Sequence, residues 1–341
     1  MAVLSGEVWN GESFEEGYVL IDDDKVEEVG YGKCPYETDV EGCIMPGLTD
    51  GHTHLGDAGL RLTRQYGLEE LVAPPDGLKH RYLRETPDET IINDMTEYSG
   101  RLISNGTSNF LDFREGGKRG AVMLRSACPR ATILGRPVSP EFDQNEIDGI
   151  LDVADGIGIP SVTDMPHGYI DRIADAVRRR GKILALHVSE RAREDIGYVM
   201  SLQPDFIVHM TQSTEEDVKI CADEDVPIVV CASSNLYFGM TPPIRMMMDC
   251  GATVAIGTDN AMLCPHADIF KEFQCFRSVL SSQGGSDDDA ISSLIAHAWK
   301  LLNVKSIIEE QTGSKADLVV FPGSLKMMIS GAPAEPVRYG P

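Results

Sequence analysis

Between residues 107 and 280 the chain alternates short apolar runs with stretches of helical periodicity. TSNFLDF (107–113), ATILGRP (131–137), GIGIPSV (156–162), KILALHVS (182–189), DFIVHMT (205–211), VPIVVCAS (226–233) and ATVAIGTD (252–259) read as strands. A candidate helix follows each. HGYIDRIADAVRRRG is amphipathic and ends at Gly181. STEEDVKICADED opens with Ser213 and has Glu216 three residues on, the spacing of a capping box. The strands are apolar throughout rather than alternating, as expected where both faces of a parallel sheet are covered. With CIMPG (43–47) in front, eight strand–helix units predict an α/β fold, a (β/α)8 TIM barrel. An open doubly wound sheet is the alternative. No Gly-x-Gly-x-x-Gly follows the first strand, so nothing supports a dinucleotide site.

Both ends of the chain read as β structure. VWNGESFEEGYVLIDDDKVEEVG and ADLVVFPG hold short apolar runs broken by turn residues. Chain termini often lie close together. Residues 1–46 and 316–341 are therefore expected to form a small composite β-sandwich-like domain beside a barrel spanning 47–315, a division that 341 residues can support.

The net charge of −24, from 54 acids against 30 bases, opposes binding to a nucleic-acid backbone and favours high solubility. No stretch approaches the ~20 apolar residues of a membrane span. The N-terminal MAVLSGEVWNGESFEEG has early acids and no basic segment, unlike a secretory signal, so the expected location is the cytoplasm. The eight cysteines show no Cys-x-x-Cys spacing and read as reduced, packed thiols rather than a zinc-thiolate site.

In a TIM barrel the chemistry gathers at the C-terminal ends of the strands. GLTDGHTH ends in His52 and His54, two apart and hence on one face of an extended strand. The second strand ends with Asp112, Arg114 and Glu115, and the third with Arg136. LALHVSE brings His187 and Glu190, FIVHMT brings His209, CASSN brings Ser234 and Asn235, and IGTDN brings Asp259. A lone histidine after an apolar run is usually a hydrogen-bonded core residue. Four of eight histidines at strand ends, with an aspartate at the last, instead suit a divalent ion such as Zn²⁺ or Fe²⁺.

These segments, PGLTDGHTHL, LHVSE, IVH, CASSN, GTDN and the closing SKADLVVF, resemble the amidohydrolase superfamily over nearly the whole chain. His187-Val188-Ser189-Glu190 and Ser234-Asn235 are similar to the cytosine deaminase and chlorohydrolase-type branch. The resemblance implies that His52, His54, His187 and Asp259 hold one divalent metal, zinc with iron as the alternative. It makes Glu190 the proton shuttle to a substrate ring nitrogen. His209 would hydrogen-bond the water or the substrate, and Asp259 would also take the water's proton. The implied activity is an aminohydrolase acting on a heterocyclic C–NH₂ carbon of a small molecule. The alternatives are an amidase or lactonase attacking a carbonyl, and a non-catalytic protein that kept the fold. Binuclear members often bridge two metals with a lysine after strand four; neither GIGIPSVTDMP nor FLDFREGG contains one, which favours a single metal. The chain departs from the branch at strand seven, where Val230-Cys231-Ala232 stands in place of His-Cys-Pro.

Arg114 and Arg136 suit an anionic substituent on the substrate, with Asn235 as a further contact. Residues 55–86 form a long insertion after the first strand and read as a lid. Homo-oligomers are common among such barrels, although no stretch marks an interface.

Overall fold

The computed structural model describes residues 1–73, 75–302, 308–332 and 335–340. Residue 74 of the expected lid, 303–307 of the barrel range, and 333–334 and 341 of the tail lie outside the described residues. The strands divide between two sheets. The first takes β1 (Ala2–Trp9), β2 (Phe14–Asp22), β3 (Lys25–Tyr31) and β4 (Val40–Pro46) from the N-terminal end. The second takes β5 (Leu48–His54), β6 (Thr107–Arg114), β7 (Thr132–Gly135), β8 (Gly156–Ile159), β9 (Ile183–Val188), β10 (Phe206–His209), β11 (Ile228–Val230), β12 (Val254–Ile256) and β13 (Asp259–Asn260). The tail strands β14 (Leu318–Pro322) and β15 (Val337–Tyr339) return to the first sheet.

The terminal sheet runs β15-β14-β4-β1-β2-β3. Only β1 and β4 pair in parallel; the other neighbours are antiparallel. The two chain ends do come together, but as one six-stranded sheet rather than the expected sandwich. CIMPG also moves: it belongs to β4, between β1 and β14, and is not the first strand of the parallel sheet. The chain crosses from one sheet to the other at Gly47, whose N–H donates to Asp317 O at 2.8 Å while Leu48 N–H donates to Gly106 O at 3.0 Å.

The second sheet is parallel throughout and runs β12-β11-β10-β9-β8-β7-β6-β5-β13. Its two edge strands, β12 and β13, are separated in sequence by Gly257 and Thr258 alone. The sheet therefore curls until one segment serves both edges, which makes it TIM-like. The backbone ladder does not close into the expected eight-stranded ring. At the seam a side chain takes over: Asp50 Oδ1 accepts from Thr258 N–H at 2.9 Å, and Oδ2 from Thr258 Oγ1 at 2.5 Å. Gly257 is required here, because a Cβ would lie 2.8 Å from His52 Cβ.

Inside the curl, Leu111, Phe113, Leu134, Phe206, Val208 and Val229 form an apolar plug with Ala298 and Leu301. Helices cover the outside, and their inward faces join a core that continues into the terminal sheet. One helix start differs from expectation. The capping box is Thr214 with Asp217, since Ser213 Oγ instead donates to Met210 O at 2.6 Å. The insertion after β5 is ordered around two helices, Leu68–Val72 and Leu78–Glu85. Among the described residues, no helix is long and apolar enough to cross a membrane.

Candidate active site

At the C-terminal rim of the curled sheet the side chains change character. Strand alternation aims His52 and His54 of β5 into the curl, and His187 of β9 lies across from them. The ring centroids are 4.8 Å apart for His52–His54 and for His52–His187, and 5.5 Å for His54–His187. Phe113 packs edge-on against His52 at 4.5 Å and His187 at 4.9 Å, forming an apolar floor. His209 follows Phe206 and Val208, which point inward, so strict alternation would turn it outward. Its backbone takes φ 78° and that of Met210 φ 53°, a left-handed bend. The His209 ring consequently sits 5.8 Å from His52 and 5.4 Å from His187. Asp259 also has positive φ (63°). Each such position in a non-glycine residue costs on the order of 1 kcal/mol.

The donor atoms of His52, His54 and His187 lie within 4.8 Å of one another, as do those of His52, His209 and Asp259. Asp259 Oδ1 is 3.3 Å from His52 Nε2 and 3.6 Å from His54 Nε2. Ser234 Oγ donates to Asp259 Oδ2 at 2.5 Å and Asn260 Nδ2 to Oδ1 at 3.0 Å, which fixes the carboxylate. His54 Nδ1 lies 2.8 Å from Phe113 O and 3.0 Å from Glu115 Oε1; His187 Nδ1 lies 3.1 Å from Ile159 O. The carbonyls of Phe113 and Ile159 place the proton on Nδ1 and leave Nε2 as a lone-pair donor. The Asn235 amide stands 3.4 Å from His209 Nδ1.

Electrostatics agree with the geometry. Burial pushes His54 down to about 4 and lowers His52, His187 and His209 as well, so the imidazoles are neutral near pH 7. Burial opposes charge on Asp259, yet His52, His209 and His54 hold its carboxyl well below the usual carboxylate range. Both ring nitrogens of His52 are buried without a hydrogen-bond partner. Such orphaned ring nitrogens, one a donor and one an acceptor in the neutral ring, are costly unless something partners them. Neutral imidazoles around an ionised carboxylate fit a divalent ion of the zinc type.

The cluster opens into a cavity of about 530 Å³. Glu190, Arg136, Lys79 and Asn260 line it, with Leu68 and Val72 of the insertion above. Glu190 lies on the loop after β9; the next helix begins only at Ile196, so the carboxylate is not a helix N-terminal group. Its Oε1 is 3.8 Å from His209 Nε2. Burial, with Asp259 nearby, pushes its carboxyl up to about 8.

The two arginines differ. Arg114 is 2% exposed and committed to Glu115 Oε2 at 2.6 Å; it faces a neighbouring cavity rather than this one. Arg136 lines both cavities and forms no ion pair among the described residues. Sequence reading missed Lys79, on the helix Leu78–Glu85, and gave no role to Asn260 or Glu115. Asn260 stands inside the GTDN motif and could have been flagged. No local pattern singles out Lys79.

The chain as a whole is similar to known proteins. The Amidohydrolase family model matches residues 43–338, and the chain belongs to that family. An uncharacterized protein of Methanocaldococcus jannaschii is 32% identical over 257 residues, 68% of this chain and 67% of that protein. A 5-methylthioadenosine/S-adenosylhomocysteine deaminase of Halobacterium salinarum is 26% identical over 80% of this chain and 71% of its own length. Among solved structures, an adenosine deaminase from Xanthomonas campestris with bound zinc superposes with a TM-score of 0.77 at 16% identity, covering 96% of this chain and 88% of that one. Atrazine chlorohydrolase TrzN from Arthrobacter aurescens, complexed with zinc, gives 0.74 at 15% identity over 94% and 87%. The structural likenesses establish a shared fold.

Proposed function

We propose that the protein is a metal-dependent hydrolase that removes ammonia from a heterocyclic C–NH₂ carbon, with His52, His54, His187 and Asp259 holding one divalent ion, zinc in the first instance. The observation that carries this reading is Glu190: a carboxyl that keeps its proton near neutral pH, on the cavity wall, facing His209 beside the histidine–aspartate cluster. Attack at an amidine carbon needs an acid at the adjacent ring nitrogen, and a protonated carboxyl supplies it. The name of the deaminase relative supports the same class.

The ion, when bound, supplies an acidified water near neutral pH. Asp259, held by Ser234 and Asn260, would be placed to take a proton from the attacking water. His209, on its strained bend, orients the attacking oxygen and the substrate. Glu190 gives its proton to the ring nitrogen as the new C–O bond forms, then recovers one as the C–N bond breaks. The amino group leaves as ammonia with a proton relayed from the water, and the ring keeps a carbonyl. Arg136, without an ion pair among the described residues, suits an anionic substituent, and Asn235 orients His209 from behind.

A screen of aminated heterocycles for ammonia release tests the class. Glu190→Gln should lower turnover by about 10²–10⁴-fold while metal content stays unchanged. An active Glu190→Gln enzyme would sink the assignment. Hydrolysis of amides or lactones with no ammonia from any aminated ring would move the protein to carbonyl chemistry.

A further inference from the structure

From the insertion between β5 and β6, Lys79 reaches the surroundings of the histidine–aspartate cluster. Lys79 projects from the helix Leu78–Glu85 and is 3% exposed. Its Nζ lies 2.6 Å from Glu115 Oε1, 2.8 Å from Asn260 Oδ1 and 3.6 Å from Asp57 Oδ2. None of these groups is in the proposed ligand set, yet two of them touch it. Asn260 donates through Nδ2 to Asp259 Oδ1, the oxygen that faces His52 and His54. Glu115 Oε1 lies 3.0 Å from His54 Nδ1.

The chemistry of those contacts is directional. An amide has one acceptor end and one donor end. Lys79 at Asn260 Oδ1 and Asp259 at Nδ2 hold the amide from both ends; without the cation only the bond to Asp259 fixes it. Glu115 is 7% exposed and shared between Lys79 and Arg114. Held there, its charge sits 3.0 Å from His54 Nδ1, whose hydrogen bond goes to Phe113 O at 2.8 Å and keeps Nε2 facing the cluster. Asp57, at the base of the insertion, accepts from Met262 N–H at 2.9 Å, so the segment after Asp259 is tied to the same group.

We propose that Lys79 is a positioning residue through which the insertion completes the metal site, so that docking of the helix Leu78–Glu85 and metal binding favour one another. The inference rests on the reading that the histidine–aspartate cluster holds a divalent ion. The insertion then does more than cover the cavity. Its position and the order of the metal ligands are one equilibrium, and by linkage whatever factor docking adds to metal affinity, metal adds to docking.

The test measures both sides of that linkage on the full chain. Zn²⁺ affinity is read by competition with a chromophoric chelator, and backbone exchange of residues 78–85 is followed with and without Zn²⁺. For the wild type, Zn²⁺ should slow exchange across 78–85. Lys79→Met should weaken Zn²⁺ by about 10–100-fold, the usual effect of losing an outer partner of a metal ligand, and should abolish the Zn²⁺-dependent slowing. A lysine that merely pins the insertion would speed exchange equally with and without Zn²⁺ and leave affinity unchanged; that result overturns the proposal. If Lys79→Met does not fold, Asn260→Leu and the wild-type exchange comparison decide. Asn260→Leu should weaken Zn²⁺ and shrink its effect on 78–85, and wild-type exchange that ignores Zn²⁺ overturns the coupling. A wild-type chain that binds no Zn²⁺ overturns the metal reading and the coupling together, whereas equal affinity in wild type and variants overturns the coupling alone.

Discussion

The two sheets of this protein are both buried, and they bury opposite things. In the terminal sheet Leu4, Val8, Val19, Ile44, Leu318 and Val320 are fully buried, and among the described residues its strands hide no charged or hydroxyl side chain, although Trp9 Nε1 is buried without a partner. The rim of the parallel sheet hides Asp50, His52, His54, Asp112, Arg114, Glu115, His209, Asn235, Thr258, Asp259 and Asn260. Burying apolar surface stabilises at ~25 cal/mol per Å², whereas burying polar groups costs unless each finds a partner. The terminal sheet contributes stability. The rim gives some up, through orphaned imidazole nitrogens and left-handed backbone at His209 and Asp259, in exchange for donors gathered at one point.

Paired substitutions can break that contrast. Glu190→Gln should cut turnover by the two to four orders of magnitude given above, with little change in melting temperature. Leu4→Ala should do the reverse: it removes a fully buried side chain from β1 and should destabilise by about 2–5 kcal/mol, measured by denaturant unfolding, with metal affinity unchanged. Loss of metal in Leu4→Ala would mean that the two sheets are not separable in function.

A smaller effect sharpens the comparison through pH. Glu272 is 2% exposed and accepts from Ser233 N–H at 3.0 Å and from Ser233 Oγ, fixing the start of the helix that carries Ser234 and Asn235. Burial pushes its carboxyl up to about 7, from an ordinary 4.5. With the folded value raised, its stabilising contribution is complete below about 4.5 and is lost as pH rises through about 7. Glu272→Gln should therefore flatten the stability–pH curve in that window by up to about 1.4 kcal/mol per pH unit. The strands of the terminal sheet bury no carboxyl and should add nothing to that slope. An unchanged slope in Glu272→Gln would remove this residue from the account.

Much of the architecture was legible because it is repetitive. Seven apolar runs each became a strand of the curled sheet, His187 and His209 lay at the ends of two of them and His52 and His54 at the end of β5, and side-chain alternation predicts the facing direction of His52, His54 and His187. Legibility failed where long-range contact decides. CIMPG has the composition of a parallel strand, but Gly47 switches the chain between sheets and hands it to β1 and β14. Ser213/Glu216 and Thr214/Asp217 satisfy the same spacing, and only the bond from Ser213 to Met210 O separates them. The seam at Asp50 and the reach of Lys79 to Asn260 join residues 208 and 181 positions apart, distances no local pattern encodes.

The central claim is that the rim is built around one divalent ion. Its most direct test is metal content per chain, by elemental analysis of protein stripped, reloaded with Zn²⁺ and desalted, for wild type, His187→Ala and Leu4→Ala in parallel. The account predicts close to one equivalent in wild type and in Leu4→Ala, as for a single four-donor site, and little in His187→Ala. Wild-type protein that retains no metal, or His187→Ala that retains as much as wild type, would contradict it.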